Sequence, residues 1–364
     1  MKPKSIASLS NLWTQSTSSS HTLKIKLYTQ LLKGATHGAR LFYNPHRVPS
    51  SGAILFYHGL VTDYMDRGLQ KNHMTVKEFR RQLKWLRQHR VFVSASEVRA
   101  ALQGTHTLPK KWTLITFDDG YQNNLDLAAP ELKDIPWLIY LATEMIDEGG
   151  RMPAYRVRRA LRAHTDATLD LPCLGVRFRC TTPQERSLVE KGLVKQLKLA
   201  PRPLHDQMIQ EIEQQIPRER LDEWDARFTS EAGLTWAGVR QLAQAGVSIG
   251  GHTHRHSLLH AQQSPHLIQA EITQCALRIQ EETGIVPKDF CWPNGRPQDI
   301  SLTAIQSLEH SSFEWATTGS AGCATLDPHL RWVTPRIPSG RLETLVRWLT
   351  REQIIPAQHR LPIH

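Results

Sequence analysis

The chain has 364 residues, enough for one large α/β domain with an insertion or for two smaller domains, and either can bury a core. Its content of 40% hydrophobic and 22% charged residues is ordinary for a soluble globular protein and excludes disorder throughout. The formal charge of +11 favours anionic neighbours such as acidic polymers, phosphorylated lipid carriers or membrane headgroups, although a solvated basic surface with no specific partner is equally open. Because no nucleic-acid-binding signature accompanies this charge, we expect no nucleic acid partner.

The compartment can be predicted from three absences in the sequence. The five cysteines form no C-x-x-C pair, which is typical of a reducing compartment. Residues 1–20 lack the apolar core of a secretory signal, and no apolar run approaches the ~20 residues that a membrane span needs. We therefore expect a cytoplasmic protein that could also contact an anionic membrane peripherally.

The first fifty residues read as an N-terminal extension. Residues 1–20 are Ser-rich and polar, so we expect them to be poorly ordered. Residues 21–44 combine leucines with lysines, which is typical either of a basic amphipathic helix on a membrane surface or of a segment that packs on the domain. Residues 351–364 form a short C-terminal tail.

An α/β order of elements begins at residue 53. Residues 53–57 predict a first strand that ends at His58, a histidine that either lines a pocket or is buried and structural. Capping-box patterns at Thr75 and Ser94 then predict two helices. Strand, helix, helix and strand in succession indicate an α/β fold.

Two adjacent carboxylates follow the next strand. The apolar run 112–117 has the length and β-branched content of a buried strand, and Gly120 marks its exit into a loop. Asp118 and Asp119 therefore lie where parallel α/β folds place their chemistry. Adjacent residues of an extended chain point to opposite sides, so one carboxylate can face a metal and the other a water. The alternative is a pair of loop aspartates that bind backbone amides.

A second strand ends in histidines. After a further strand at 137–141 the chain becomes charged and helix-like over about 155–233, which predicts a helical insertion. The apolar stretch that follows runs into His252 and His256, whose spacing of four brings two imidazoles to one side of a helical turn or tight loop. Two imidazoles and one carboxylate with an open fourth position are typical of catalytic zinc, whereas a solvated His-rich turn is the alternative.

These motifs together carry a family resemblance. Residues 116–120, followed by His252 and His256, resemble the first two signature motifs of the polysaccharide deacetylases, the NodB-homology group of carbohydrate esterase family four. Segments similar to successive landmarks of its exopolysaccharide-associated branch occur at 55–59, 75–86, 129–132, 234–236, 290–295 and 330–337. The resemblance covers about residues 53–349. It implies a deformed (β/α) barrel, a NodB-homology domain over 51–350 interrupted by the insertion.

The resemblance also implies a metal-dependent deacetylase. Asp119, His252 and His256 would hold a divalent metal, zinc or else cobalt, nickel or iron, and Asp118 would be the general base. The third motif begins at Phe290, and its turn would offer the backbone N–H of Asn294 to the oxyanion. Residues expected to contact the substrate are Trp292, Pro293 and His58.

The sequence departs from the family pattern at two places. Cys291 stands where many members have the arginine that orients the catalytic aspartate, and Asn294 stands where they have an aromatic residue. The late Leu-x-His motif, whose histidine protonates the leaving amine, has no clear equivalent here. Candidates by residue type are His310, His329 and His359, with His254 and His260 as substitutes.

The expected substrate is an acetylated sugar in an oligosaccharide, a polysaccharide or a lipid-linked precursor, with an N-acetyl or O-acetyl group as the target. Two other classes of function stay open. One is a catalytically silent relative that binds glycan or a lipid carrier, and the other is a hydrolase of a non-carbohydrate amide.

Overall fold

A computed structural model describes residues 52–324 and 326–350 of the chain. The predicted N-terminal extension, the C-terminal tail and His359 lie outside these residues. No helix in the described part of the chain is long and apolar enough to cross a membrane.

The strands build a closed parallel barrel. In chain order they are β1 (Ala53–Tyr57), β2 (Gly59–Val61), β3 (His73–Thr75), β4 (Val91–Phe92), β5 (Trp112–Phe117), β6 (Trp137–Leu141), β7 (Thr168–Leu171), β8 (Val176–Arg179), β9 (Ser248–Gly251), β10 (Asp289–Cys291), β11 (Trp315–Ala321) and β12 (Thr334–Pro338). Seven of them form the barrel in the order β1, β12, β11, β10, β9, β6 and β5, and pairing of β1 with β5 closes it. The predicted (β/α) barrel is confirmed.

Helices follow most barrel strands. The α-helices of five or more residues are α1 (Val76–His89), α2 (Ala95–Leu102), α3 (Thr143–Asp147), α4 (Pro153–Ala163), α5 (Pro183–Leu199), α6 (Arg202–Glu213), α7 (Arg218–Arg227), α8 (Trp236–Gln244), α9 (Pro265–Thr283), α10 (Leu302–Glu309) and α11 (Leu342–Thr350), and Asn124–Ala128 is a π-helix. Several begin at the predicted residues. Ser94 forms the complete capping box of α2. At α1 the Thr75 side chain accepts the Glu78 N–H, but the return bond of the capping box is missing, because the Glu78 carboxylate accepts from Leu342 and Arg81 instead.

The barrel strands are buried because helices cover them from outside and side chains fill the interior. All residues of β5 and β6 are buried, as the continuous apolar runs predicted. The strands β1, β5, β6 and β9 and helices α1, α8 and α9 share one apolar cluster. This rigid frame fixes the carboxyl ends of the strands, where the candidate site lies.

The segment between β6 and β9 has an apolar cluster of its own. Helices α4 to α7 pack around buried leucines, isoleucines and a methionine. The sequence predicted helices here, with strand alternation at residues 176–178 alone; these residues lie in β8, which pairs with β7 in an antiparallel hairpin. Strand β7, which was not predicted, buries Leu169 and Leu171, whereas β8 is largely exposed and alternates apolar with charged side chains.

Candidate active site

The carboxyl ends of several barrel strands meet at one rim. There β1 leads into His58, β5 into Asp118 and Asp119, β9 into His252, and β10 into Trp292. Parallel strands with short exits necessarily bring these positions together, as the sequence analysis predicted from strand ends alone.

The two adjacent aspartates point to different partners. Asp119 has a backbone φ of 76°, so the chain has already left the extended conformation assumed from the sequence. Gly120 continues the turn with φ of 86°, and a Cβ there would lie 3.0 Å from a Leu141 methyl group. This tight turn, rather than strand alternation, directs the two carboxylates apart.

Asp119 lies between two imidazoles. Its Oδ1 is 3.4 Å from Nε2 of His252 and 3.3 Å from Nε2 of His256. The same oxygen is buried and forms no hydrogen bond with any described residue. A buried carboxylate oxygen without a donor is costly, and a cation between the three side chains would satisfy it. The two nitrogens and one oxygen fit a divalent metal.

The ring orientation of His252 leaves the correct nitrogen free for a ligand role. Its Nδ1 lies 2.7 Å from the Cys291 carbonyl oxygen, and because a carbonyl can only accept, Nδ1 carries the proton. The Nε2 lone pair then faces Asp119, which is the arrangement that metal-binding histidines use. His256 reaches the cluster from a loop rather than a helix, since Thr253 and His256 have φ of 63° and 54°.

Asp118 is held by an arginine that the sequence analysis missed. The Arg336 guanidinium donates to Oδ1 and Oδ2 of Asp118, both at 2.7 Å, and both side chains are buried. Burial alone would raise the pKa of Asp118, but the charge and hydrogen bonds of Arg336, together with His252 and His58, outweigh it and hold the pKa below its usual value. The same guanidinium lies 2.9 Å from the Cys291 sulfur.

Although Cys291 replaces the arginine that orients the aspartate in many family members, another arginine takes that role. An arginine does orient this aspartate, but it comes from β12 and not from position 291. The available signal was a charged residue in the middle of the apolar strand Thr334–Pro338, since a buried arginine needs a partner.

The third motif forms a strained turn against β11. Asn294 and Gly295 have φ of 56° and 63°, and a Cβ on Gly295 would lie 2.2 Å from the Gly319 nitrogen. The Asn294 N–H donates to no residue in the described parts of the chain, and Asn294 lines the cavity of the site. Trp292 is buried beneath the turn and donates from Nε1 to the Trp332 carbonyl oxygen at 2.7 Å.

A cavity of about 320 Å³ opens over these groups. His58 and Trp292 line it, but Pro293 is not among its lining residues. Glu231, which the sequence analysis did not single out, also lines it, and burial raises the pKa of Glu231 to about 8. No sequence signal marks this residue, because it follows a generally charged helical segment.

The histidines considered as proton donors lie elsewhere in the described structure. His254 Nδ1 is 2.8 Å from the Thr143 hydroxyl, and His310 Nδ1 is 2.7 Å from the Gln306 carbonyl oxygen. Neither borders the cavity, and the same holds for His260 and His329.

Comparisons with known proteins agree with this geometry. Residues 210–313 match the family model described as polysaccharide deacetylase, a stretch that includes His252 and His256 but begins after Asp118. No curated protein sequence matches the chain significantly.

Among solved structures, the fold resembles the Streptococcus pyogenes deacetylase PplD in complex with acetate, with 18% identity over 83% of this chain and 99% of that one and a TM-score of 0.54. IcaB from Ammonifex degensii has 17% identity over 82% of this chain and 97% of its own, with a TM-score of 0.53. At these identities the two structures show a shared fold. Over residues 210–313 the chain is therefore similar to the polysaccharide deacetylase family, and its barrel has the fold of solved deacetylase structures.

Proposed function

We propose that this protein is a metal-dependent deacetylase that removes N-acetyl groups from an oligo- or polysaccharide or from a lipid-linked glycan. The observation that carries the proposal is the buried Oδ1 of Asp119, which has no hydrogen-bond donor and faces Nε2 of both His252 and His256. The solved structure of PplD contains acetate, the acyl product expected from such a reaction.

Each polar group of the site has a task in this proposal. Asp119, His252 and His256 would hold a divalent metal, and zinc, cobalt, nickel or iron suits such a donor set; when bound, it would supply Lewis-acid polarisation of the acetyl carbonyl and acidify water. Asp118 accepts the proton of the attacking water, in the orientation that its arginine partner fixes. The free N–H of Asn294 donates to the carbonyl oxygen as negative charge develops there.

The sugar is bound along the cavity. Trp292 and His58 border it and offer an apolar ring and an imidazole to the acetylated unit, while Pro293 shapes the turn between them and Asn294. Cleavage of the amide bond releases acetate and leaves the free amine on the sugar.

The proposal is tested by metal content and acetate release with acetylated chitooligosaccharides. We expect about one divalent ion per chain and measurable acetate, both lost in His256→Ala. His254→Ala is the matched control, because this neighbouring histidine bonds to Thr143 instead of joining the cluster. Asp118→Asn should retain the metal and lose turnover. Metal without acetate in the wild type would exclude this substrate class, and absence of metal after reconstitution would exclude the metal site.

A further inference from the structure

One wall of the cavity is formed by cations from separate parts of the chain. The basic side chains that line it, apart from Arg336, are Lys71, Arg158, Lys198, Arg202 and Arg296. Lys71 and Arg296 lie in loops. The other three belong to helices α4, α5 and α6 of the segment between β6 and β9. Like charges gather here from four distant stretches of sequence.

Only some of these cations have a carboxylate partner. Arg202 lies 3.3 Å from Glu144 and 2.8 Å from Asp206, and Arg158 lies 3.4 Å from Glu190. In contrast, Lys71, Lys198 and Arg296 form no ion pair with any residue in 52–324 or 326–350. These three are exposed at the cavity mouth, where a ligand can reach them.

The carboxyl groups inside the cavity do not balance this charge. Asp118 is paired with Arg336, and Asp119 belongs to the histidine cluster. Glu231 retains its proton at neutral pH because burial raises its pKa to about 8. The cavity lining therefore carries an excess of positive charge, which the buried Asp299 outside the lining, attracted by both Lys198 and Arg296, offsets only in part.

Lys198 is repelled by neighbouring positive charges in this arrangement. Its Nζ lies 3.0 Å from Oδ1 of Asn294, so it reaches the turn that borders the reacting carbonyl. Partial withdrawal from water at the cavity mouth lowers the pKa of Lys198, and the nearby charges of Arg296 and Arg158 lower it further. An anion bound between Lys198 and Arg296 would relieve this repulsion.

We propose that the cavity selects acetylated sugars that carry an anionic group, phosphate or carboxylate, next to the acetylated unit, and that Lys198 and Arg296 bind this group. The inference rests on the proposed function and specifies its substrate class. A sugar phosphate, as in a lipid-linked precursor, and a uronic acid in an acidic polymer offer the same chemistry to these side chains.

Two measurements on the metal-loaded protein test the inference. The first compares kcat/KM for acetate release from N-acetylglucosamine 1-phosphate, from a tetrasaccharide of alternating glucuronic acid and N-acetylglucosamine, and from neutral tetra-N-acetylchitotetraose. We expect at least one anionic probe to exceed the neutral probe by about 10-fold or more at low salt, because charge-assisted contacts have this magnitude. High salt should shrink the difference. The phosphate and uronate arms identify the source.

The second measurement is binding of inorganic pyrophosphate, which does not depend on turnover. Lys198→Glu and Arg296→Glu should each weaken it by about 10-fold or more, relative to the wild type with the same metal content. Lys195→Glu is the matched control, since Lys195 is an exposed lysine one turn earlier on α5 and lies outside the cavity.

Pyrophosphate binding and kcat/KM test the anion subsite and the proposed function separately. Equal pyrophosphate affinity in the wild type and both charge-reversed variants would overturn the anion subsite, whatever the activity. Equal kcat/KM for neutral and anionic probes would also overturn it and leave the deacetylase intact. Absence of acetate from every probe, with pyrophosphate binding still sensitive to Lys198, would overturn the proposed function and retain the anion site.

Discussion

The Arg336 guanidinium donates to both carboxylate oxygens of Asp118 at 2.7 Å, across 218 positions of sequence. The contact joins β12 to the end of β5 inside the barrel, and Arg336 is further held by the Thr318 carbonyl oxygen at 3.0 Å. A two-point ion pair of this kind fixes the direction of the carboxylate as well as its charge. Asp118 is thereby presented to the cavity as an oriented anion.

The first prediction concerns stability. Arg336→Met leaves the Asp118 charge buried without a partner, so we expect the free energy of unfolding to fall by about 3–5 kcal/mol. Urea denaturation followed by circular dichroism measures the change. Adding Asp118→Asn to that variant removes the stranded charge and should restore part of the loss. If the double variant is less stable than Arg336→Met, the ion pair is not the cause.

The second prediction concerns the pH dependence of activity. Arg336→Lys keeps a positive charge but cannot donate to both carboxylate oxygens as the guanidinium does. The pKa of Asp118 should therefore rise, since Arg336 lowers it in the wild type. A general base must be deprotonated, and the acidic limb of the kcat/KM profile should therefore move to higher pH. We expect kcat/KM at the optimum to fall by roughly 10- to 100-fold. An unshifted limb would assign that limb to another group.

The third prediction separates backbone from side chain in the Asn294 turn. Asn294→Gly keeps the N–H and relieves the positive φ of 56°, so most of kcat should remain. Gly295→Ala places a Cβ 2.2 Å from the Gly319 nitrogen, so the turn must move. We expect that variant to lose about 2–4 kcal/mol of stability and most of its kcat. Loss of kcat in Asn294→Gly, with the metal retained, would assign the role to the side chain.

The fourth prediction uses the buried acid Glu231, whose pKa rises from 4.5 to about 8 on folding. Between these values the unfolded chain has lost a proton that the folded chain retains, so the stabilising contribution is complete below pH 4.5 and disappears as pH rises through 8. The slope approaches about 1.4 kcal/mol per pH unit for one group.

The control for this effect is Glu231→Gln, which cannot titrate. We expect the free energy of unfolding of the metal-free wild type to fall more steeply with pH than that of the variant, measured by urea titration from pH 5 to 8 in the presence of a chelator. Parallel curves would contradict the raised pKa.

The sequence by itself indicated the barrel strands and the grouping of Asp119 with His252 and His256. Strands such as Trp112–Phe117 are continuous apolar runs bounded by loop residues, and this local signal is strong because both faces of a barrel strand are buried. Asp119, His252 and His256 could be associated before any coordinates existed, because each follows a strand and parallel strands bring their carboxyl ends to one rim.

Only the tertiary structure decided which residues surround that rim. The partnership of Arg336 with Asp118 depends on the pairing of β12 with β1 in the barrel; an arginine within an apolar strand signals that a partner exists but does not identify it. The turn at Asp119, the raised pKa of Glu231 and the convergence of Lys198 with Arg296 likewise arise from packing between distant segments. Local sequence encodes an element through its own burial pattern, whereas electrostatics depends on distances between elements, and these are fixed only when the chain has folded.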